Sequence, residues 1–381
     1  MPFRWNAGLN GIYDDNVAST SINKESSFAL NPSLGLSVTR TTPQTVIDVN
    51  GRLGVIYYPD APVIGGEPID DLNNQSRLGL SISHRLSERL RFTSLNMASR
   101  EREPDYSYGI ATGRSGGTKG EYISLTTDNS LGYRWSERFG STSGLKLWQT
   151  TSPNATTEDS DRSNWELHNQ LRYQYSPQSV ITGDYRFAKS YGSGTGQNAT
   201  DHYLLAGDEY RFSPNTIGIV KAGVQFHEIT NGDSSTSPYL ELSGNSKMNK
   251  ELTLKTFIRY SIENEGLNRV INGNLVNFSD HKTLRVGGTA EYAISPMFSI
   301  LGGIDYIPAT FTGAQGDDKA DLSDRDECLF NTFVSLSIKF NEFLTGVASY
   351  TFADNQSDFG QGATSGDYQR NRISIGLNAN F

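Results

Sequence analysis

Basic side chains recur through the chain in stretches where polar and apolar residues alternate, and they fall on the polar side. The candidates are Arg52, Arg77, Arg134, Arg172, Arg186, Lys255, Arg259, Arg285, Arg370 and Arg372. Acidic residues in comparable positions, such as Asp48, Asp128 and Glu166, are fewer. A basic wall around a narrow aqueous space attracts anions, because low-dielectric surroundings focus the field of the charges. The pattern therefore indicates binding or passage of anionic or polar solutes.

A second interpretation of the same residues is structural. Arginines can pair with acidic residues across neighbouring strands, which braces a sheet and leaves little net field. Two aromatic residues on the polar side, Trp148 and Tyr122, can also be interpreted either as ligand-binding or as structural. Their rings can stack on sugar rings, or they can fill space against a loop folded inward.

Little in the chain points to catalysis. The five histidines lack the close spacing of metal ligands, and no glycine loop of the phosphate-binding kind is present. The acidic stretch 317–327 could bind calcium or bridge to lipopolysaccharide through divalent ions, but it lacks the spacing of a high-affinity calcium loop. The alternative is that these acidic side chains are simply exposed to solvent and bind no ion. We expect no enzyme, no catalytic residue, no metal site, no cofactor and no nucleic-acid partner.

The elements that carry these residues have the two-residue period of β-strands. In the thirteenth expected strand, one side holds Leu252, Leu254, Ile258, Tyr260 and Ile262. The other side holds Thr253, Lys255, Arg259 and Glu263. The tenth strand, 201–212, is ambiguous because both sides carry charge. Alternation over such lengths does not fit a helix.

Eight short turns rich in Ser, Pro and Asn punctuate the chain, and longer polar stretches lie between them. The turns are 41–44, 87–89, 136–138, 176–178, 213–215, 249–251, 295–297 and 341–343. Eight hairpins plus one strand at each end predict about eighteen strands in one domain, residues 1–381. Short turns at one end and long loops at the other are typical of transmembrane antiparallel up-and-down β-barrels, with short periplasmic turns and long extracellular loops. Both termini would then be periplasmic.

The closing segment supports a membrane location. It alternates Ile373, Ile375, Leu377 and Ala379 with polar residues and ends on Phe381. Mean hydropathy is -0.49, and no run of eighteen apolar residues could form a transmembrane helix. A barrel escapes that test because alternate residues face lipid. The alternative is a large soluble β-sandwich or propeller.

Aromatic residues form two groups, as in the girdles at membrane–water boundaries. The group beside the short turns is Trp135, Phe139, Tyr175, Phe212, Phe298, Phe340, Phe343 and Phe381. The group beside the loops is Tyr13, Tyr57, Trp165, Tyr203, Tyr306, Phe352 and Tyr368.

Two short segments resemble a known family. Tyr13-Asp14-Asp15-Asn16-Val17 resembles the Tyr-Asp-Asp-Asn signature of a β-barrel porin family of Gram-negative outer membranes that is associated with exopolysaccharide export. The last residues, Ser374, Gly376, Ala379 and Phe381, are similar to the signal read by the barrel-assembly machinery. Ala379 stands where an aromatic residue is usual.

The resemblance implies a barrel of about eighteen strands that passes a secreted polysaccharide, fed by a periplasmic polysaccharide export protein. Two other functions remain open: a general diffusion porin for small polar or anionic solutes, and a surface adhesin or structural barrel whose loops bind. In each case the expected surroundings are outer-membrane lipid and lipopolysaccharide.

Overall fold

The computed structural model describes residues 3–64, 67–68, 70–101, 121–151, 161–193, 197–230, 232–264, 268–271, 274–316, 323–359 and 366–381. In this part of the chain, eighteen long strands form one antiparallel sheet that closes on itself, because the first strand pairs with both the second and the last. The strands are β1 (Phe3–Asp14), β2 (Ser27–Thr41), β3 (Thr45–Tyr57), β4 (Ser76–Arg85), β5 (Leu90–Glu101), β6 (Tyr122–Arg134), β7 (Phe139–Thr151), β8 (Arg162–Gln174), β9 (Ser179–Gly192), β10 (Ala199–Ser213), β11 (Thr216–Ile229), β12 (Ser234–Lys247), β13 (Leu252–Ile262), β14 (Asp280–Ala293), β15 (Phe298–Thr312), β16 (Arg325–Lys339), β17 (Leu344–Ser357) and β18 (Tyr368–Asn380). The predicted fold class and strand number are confirmed.

Short accessory strands lie in the connections at the other end of the barrel from the tight turns. Leu72–Asn74 extends the pairing of β3 just before β4, and Val63–Ile64 pairs with Glu67–Pro68. Asn268–Ile271, Asn274–Asn277 and Gln315–Gly316 form a separate three-stranded sheet. No helix in the described residues is long and apolar enough to cross a bilayer.

All eight predicted short turns connect consecutive strands at one end of the barrel. Side-chain oxygens stabilise several of them, for example Asn341 Oδ1, which accepts from the backbone N–H of Phe343 and Leu344 at 2.8 Å. The connections at the opposite end are longer, with one exception. Only residues 230–233 separate β11 from β12.

The outer face of the barrel is apolar, as the alternation predicts. Leu34, Leu53, Leu204 and Ile375 are each more than 60% exposed. Leu204 also resolves the ambiguous strand β10: even-numbered residues face outward, and Asp201 lies buried on the inner face. A single closed sheet with such an outer face excludes the soluble sandwich and propeller.

The expected aromatic group beside the short turns is exposed on the outside of the barrel, from Phe139 at 37% to Phe381 at 70%. The prediction for the group near the loops is partly wrong. Tyr13, Tyr57 and Tyr306 are exposed as expected. Tyr203 instead lies on the inner face of β10, where its hydroxyl accepts a hydrogen bond from Gln225 at 3.1 Å.

The seam between β1 and β18 closes the barrel. At the end with the short turns, Trp5 and Phe381 exchange two backbone hydrogen bonds of 2.9 and 2.7 Å. Further along the seam, Asn10 lies opposite Gly376, and a Cβ on this glycine would overlap the Asn10 side chain. Gly376 therefore permits a close approach of the two strands.

At the loop end of the seam, three consecutive residues fasten the first strand to the last. Asp14 accepts hydrogen bonds from the guanidinium of Arg370, with Nε to Oδ2 at 2.9 Å. Asp15 accepts from the backbone and side-chain nitrogens of Asn371 at 2.6 and 2.7 Å. The fully buried Asn16 donates to a β18 backbone carbonyl at 2.8 Å. The motif that carried the resemblance thus acts here as a seam clasp.

Strand β13 separates from β12 near its loop end while its pairing with β14 continues to Ile262. Its ladder with β12 stops at Leu240, whereas pairing of β12 with β11 continues past Pro238 to Ser234. A proline cannot donate to a ladder, and the break falls two residues from it. Ile262, expected to face lipid, is instead 3% exposed; that expectation is wrong because the strand end bends inward.

An apolar cluster covers the inner face of the wall at the loop end. Ile271, Val276 and Phe278, from the segment between β13 and β14, pack against Phe311 and Ile229. Phe311 and Ile229 lie on the inner face, since their neighbours of opposite parity are exposed outside. The segment therefore folds into the mouth of the barrel and narrows it.

Candidate functional site

A cavity of about 570 Å³ opens beside this inward-folded segment, on the inner faces of β7 to β14. Its charged lining residues are Lys146, Arg162, Arg186, Arg259, Arg285, Glu166, Glu241 and Glu263. Five are basic and three acidic, so the lining carries a net charge of about +2 when all are ionised. Trp148 also lines the cavity, as the alternation of β7 predicts.

Arg186 lines the cavity and is held by two neighbours. Its Nη1 donates to the Tyr239 hydroxyl at 3.3 Å, and its Nη2 lies 3.6 Å from Glu241 Oε2. Tyr239 donates to the same Glu241 oxygen at 2.7 Å, and the guanidinium carbon lies 5.7 Å from the centre of the tyrosine ring. These contacts hold the cation in place while leaving it part of the cavity lining.

Two further arginines share one carboxylate. Glu263 accepts from Arg259 Nη2 at 2.8 Å and from Arg285 Nε and Nη2 at 2.7 and 2.6 Å. Burial alone would raise the pKa of Glu263, but Arg285 first, and then Arg259, lower it to about 2. Glu263 therefore stays ionised, and the triad keeps one positive charge in excess.

A second pocket of about 430 Å³ lies at the end with the short turns. It holds six arginines against two glutamates: Arg85, Arg89, Arg91, Arg134, Arg138, Arg172, Glu88 and Glu137. Arg172 forms a bidentate ion pair with Glu209, and Arg134 contacts the Glu88 carbonyl at 3.3 Å. This mouth is more basic than the cavity deeper in the barrel.

Other predicted lining residues are held by partners on adjacent strands. Arg77 pairs with the buried Glu101 at 2.8 Å, and Tyr122 donates to the same carboxylate at 3.2 Å. Arg52 donates to Asn31 Oδ1 at 3.0 Å. Tyr122 is only 7% exposed, so its geometry fits bracing better than stacking on a passing ligand.

The remaining predicted residues lie apart from the main cavity. Arg370 belongs to the seam clasp, and together with Arg372 it lines a small space of about 20 Å³. Lys255 is exposed on the same face of β13 as Arg259. The structure thus brings Trp148, Arg186, Arg259 and Arg285 together and leaves the others distributed along the wall.

Both interpretations of the basic residues apply in part. Most of the arginines are paired, as the bracing interpretation expects, yet both pockets retain more basic than acidic groups. In the described part of the chain, no group of His, Cys, Asp and Glu is placed to hold a metal ion.

Sequence reasoning missed three contributors to the cavity: Tyr203, Tyr239 and Glu241. Tyr239 and Glu241 are two residues apart on β12, so the strand period places both side chains on the same face. This spacing is a signal that could have found them. Its position near a loop places Tyr203 with the outer aromatic group, and the charge on both sides of β10 leaves its orientation open. The exposed position of Leu204 on the outside of the barrel shows that its neighbour Tyr203 points inward.

Comparison with known proteins gives no family. No family model and no curated protein matches the chain. Among solved structures, Acinetobacter baumannii OccAB4 is similar at 13% identity, covering 100% of this chain and 99% of that one, with a TM-score of 0.48.

Two Pseudomonas aeruginosa structures show a comparable likeness. The outer membrane protein OpdK is 12% identical, covering 100% of this chain and 99% of that chain, with a TM-score of 0.49. The siderophore receptor PirA is 10% identical, covering 100% and 80%, with a TM-score of 0.45. Identities and superpositions this low transfer no substrate, so the function has to be inferred from this barrel's own residues.

Proposed function

We propose that the protein is a bacterial outer-membrane channel for anionic or polar solutes. In the described residues the sheet closes on itself by pairing of β1 with β18, and its outer face presents side chains such as Leu53 and Ile375 at about two-thirds exposure or more. Such a surface suits a bilayer and is unfavourable in water. With the short turns on the periplasmic side, both termini are periplasmic.

The observation that carries the anionic preference is the excess of basic over acidic groups in both pockets. The pocket at the short-turn end would draw anions in, and the deeper cavity would keep the field positive along the path. Field focusing between low-dielectric walls strengthens both effects.

A finer proposal is that the solute is a secreted polysaccharide, delivered by a periplasmic export protein. The support is the mixture of groups in the cavity: Trp148 and Tyr203 offer ring faces, while Asn164 and Asn264 offer amide groups. Stacking and hydrogen bonding of this kind hold sugars weakly at many positions, which suits a moving chain. A general diffusion porin fits the same charges.

Single-channel conductance of the purified protein in planar bilayers tests the proposal. We expect stable open steps and a reversal potential that favours the anion. Arg186→Gln should weaken that preference, whereas Arg40→Gln, which removes a charge from the outer face of β2, should not. Absence of conductance, or a cation preference, would overturn the channel proposal as stated.

Addition of polysaccharide from the native host separates the two solute classes. Block by micromolar polysaccharide supports the export conduit. Conductance indifferent to polysaccharide, together with a trimeric state, supports the general porin. A sealed barrel whose loops bind a surface ligand supports the adhesin.

A further inference from the structure

Gln225 makes an unusual pair of hydrogen bonds across the inside of the barrel. Its Nε2 donates to the carbonyl of Ile262 at 3.0 Å, and its Oε1 accepts from the Ile262 backbone N–H at 2.8 Å. Gln225 lies on the inner face of β11 and is completely buried. Strand β12 separates β11 from β13 in the wall, so the side chain reaches past one strand to the next.

These two bonds replace a missing strand contact. Residues of an antiparallel neighbour exchange both N–H···O bonds with the residue opposite. In the register of β12 and β13, the residue opposite Ile262 would be Pro238, and the ladder has already ended at Leu240. The side-chain amide of Gln225 has the same donor and acceptor as a peptide group, and it satisfies the Ile262 peptide instead.

The residues that follow are fastened to the inner wall as well. Glu263 lies between Arg259 and Arg285, as described above. Asn264 donates to Asp201 Oδ2 at 2.7 Å, and its carbonyl accepts from Arg162 Nη1 at 2.7 Å. Residues 262–264 therefore form a continuous anchor across the inside of β8 to β14.

Gln225 also belongs to a buried polar network. Its Nε2 also lies 2.9 Å from Asp201 Oδ1, which contacts His227 Nδ1 at 2.9 Å. Asp201 and His227 are no more than 1% exposed. Such a network holds one orientation of the amide, because a misplaced buried polar group would lose its partners.

We propose that Gln225 is a positioning residue that holds residues 262–264 inside the lumen and thereby places the carboxylate of Glu263 at the narrow part of the channel. This inference rests on the proposed channel function. Without Gln225, the Ile262 peptide loses its partners on the side away from β14, and we expect residues 262–264 to shift toward β12. Arg259 and Arg285 then lose the carboxylate that offsets them.

The first test compares Gln225→Ala with wild type in planar bilayers. We expect a higher single-channel conductance and a reversal potential shifted further toward the anion. Glu263→Gln should shift the reversal potential in the same direction with a smaller rise in conductance, because Ile262 stays anchored. The control, Asn96→Ala, removes an amide from the outer face of β5, where it bonds Ser94 and Thr127; because this side chain points away from the lumen, the change should alter neither quantity.

A second test does not depend on conduction. Ser261 is 5% exposed beside the anchor, so in a Cys328→Ser background we expect slow maleimide labelling of Ser261→Cys. Adding Gln225→Ala should accelerate the labelling, while adding Asn96→Ala should not. Unchanged labelling and unchanged selectivity in a folded Gln225→Ala barrel would overturn the inference and leave the channel proposal standing. If wild type does not conduct, the channel proposal fails while the labelling still decides the role of Gln225.

Discussion

The seam clasp offers the sharpest test of how the ends of the chain hold the barrel closed. We expect Asp14→Asn to destabilise the barrel strongly, because the substitution leaves the guanidinium of Arg370 without its carboxylate. The Asp14 and Arg370 side chains are 6% and 13% exposed, so water cannot readily replace the lost partner. The same carboxylate also accepts the backbone N–H of Asn16 at 3.1 Å.

The expected size follows from this burial. Removing one partner of a buried ion pair costs about 3–5 kcal/mol, and Asn retains one acceptor oxygen, so we expect about 3 kcal/mol. That corresponds to a change of roughly a hundredfold in the ratio of unfolded to folded protein. An exposed ion pair would change the ratio by only a few-fold.

The assay is urea unfolding in detergent micelles, followed by the shift between folded and unfolded bands on a gel run without boiling. Asp48→Asn is the matched control: it makes the same chemical change at an exposed hydrogen bond from Thr39 of 2.9 Å, and it should cost less than about 1 kcal/mol. A double variant, Asp14→Asn with Arg370→Gln, should recover part of the loss, because no unpaired charge remains.

Equal midpoints for Asp14→Asn and Asp48→Asn would refute the reasoning. So would a double variant that is less stable than the sum of its single changes. Either result would mean that the backbone bonds of the seam hold it closed without the clasp.

Three further outcomes are expected. Leu53→Arg, at a side chain 70% exposed on the outer face, should destabilise the bilayer-inserted barrel by about 2–4 kcal/mol if the position is near the membrane midplane; an unchanged urea midpoint in lipid would contradict a lipid-facing role. Phe381→Ala should lower the yield of folded barrel in the outer membrane, measured as the heat-modifiable fraction, and an unchanged yield would argue against an assembly signal. Because the pKa of Glu263 falls from 4.5 to about 2, its carboxylate stabilises the fold above pH 4.5 and loses this effect as the pH falls toward 2. The contribution of Glu263 to channel selectivity, measured as the difference between wild type and Glu263→Gln, should therefore stay constant from pH 7 to about pH 4, and a change in this difference near pH 4.5 would contradict a held carboxylate.

Much of the fold could be predicted because the signals are local. Alternation of apolar and polar residues is read within one strand, and turn-forming residues act over three or four positions. The eight turns and eighteen strands followed from these alone. The basic residues of β9, β13 and β14 were assigned to the inner face for the same reason.

The side-chain contacts of the site could not be predicted from such local patterns. Arg186 on β9 meets Glu241 on β12, and Gln225 on β11 meets Ile262 on β13, because the curvature of the closed sheet brings groups on strands that are not paired with each other together on its inner side. Asp14 and Arg370 are 356 positions apart and meet only because the sheet closes. No local pattern reports which of several acidic residues lies beside a given arginine.

By itself, the sequence determined a barrel: the period of its side chains, the placement of its turns and the polar character of its inner face. Only the tertiary structure decided where that inner face narrows. Pro238 lies where the ladder between β12 and β13 breaks, the end of β13 turns inward, and the amide of Gln225 takes over the hydrogen bonds of the missing neighbour. Strand periodicity assigned Ile262 to the outside, because a two-residue pattern carries no information about where a strand separates from its neighbour.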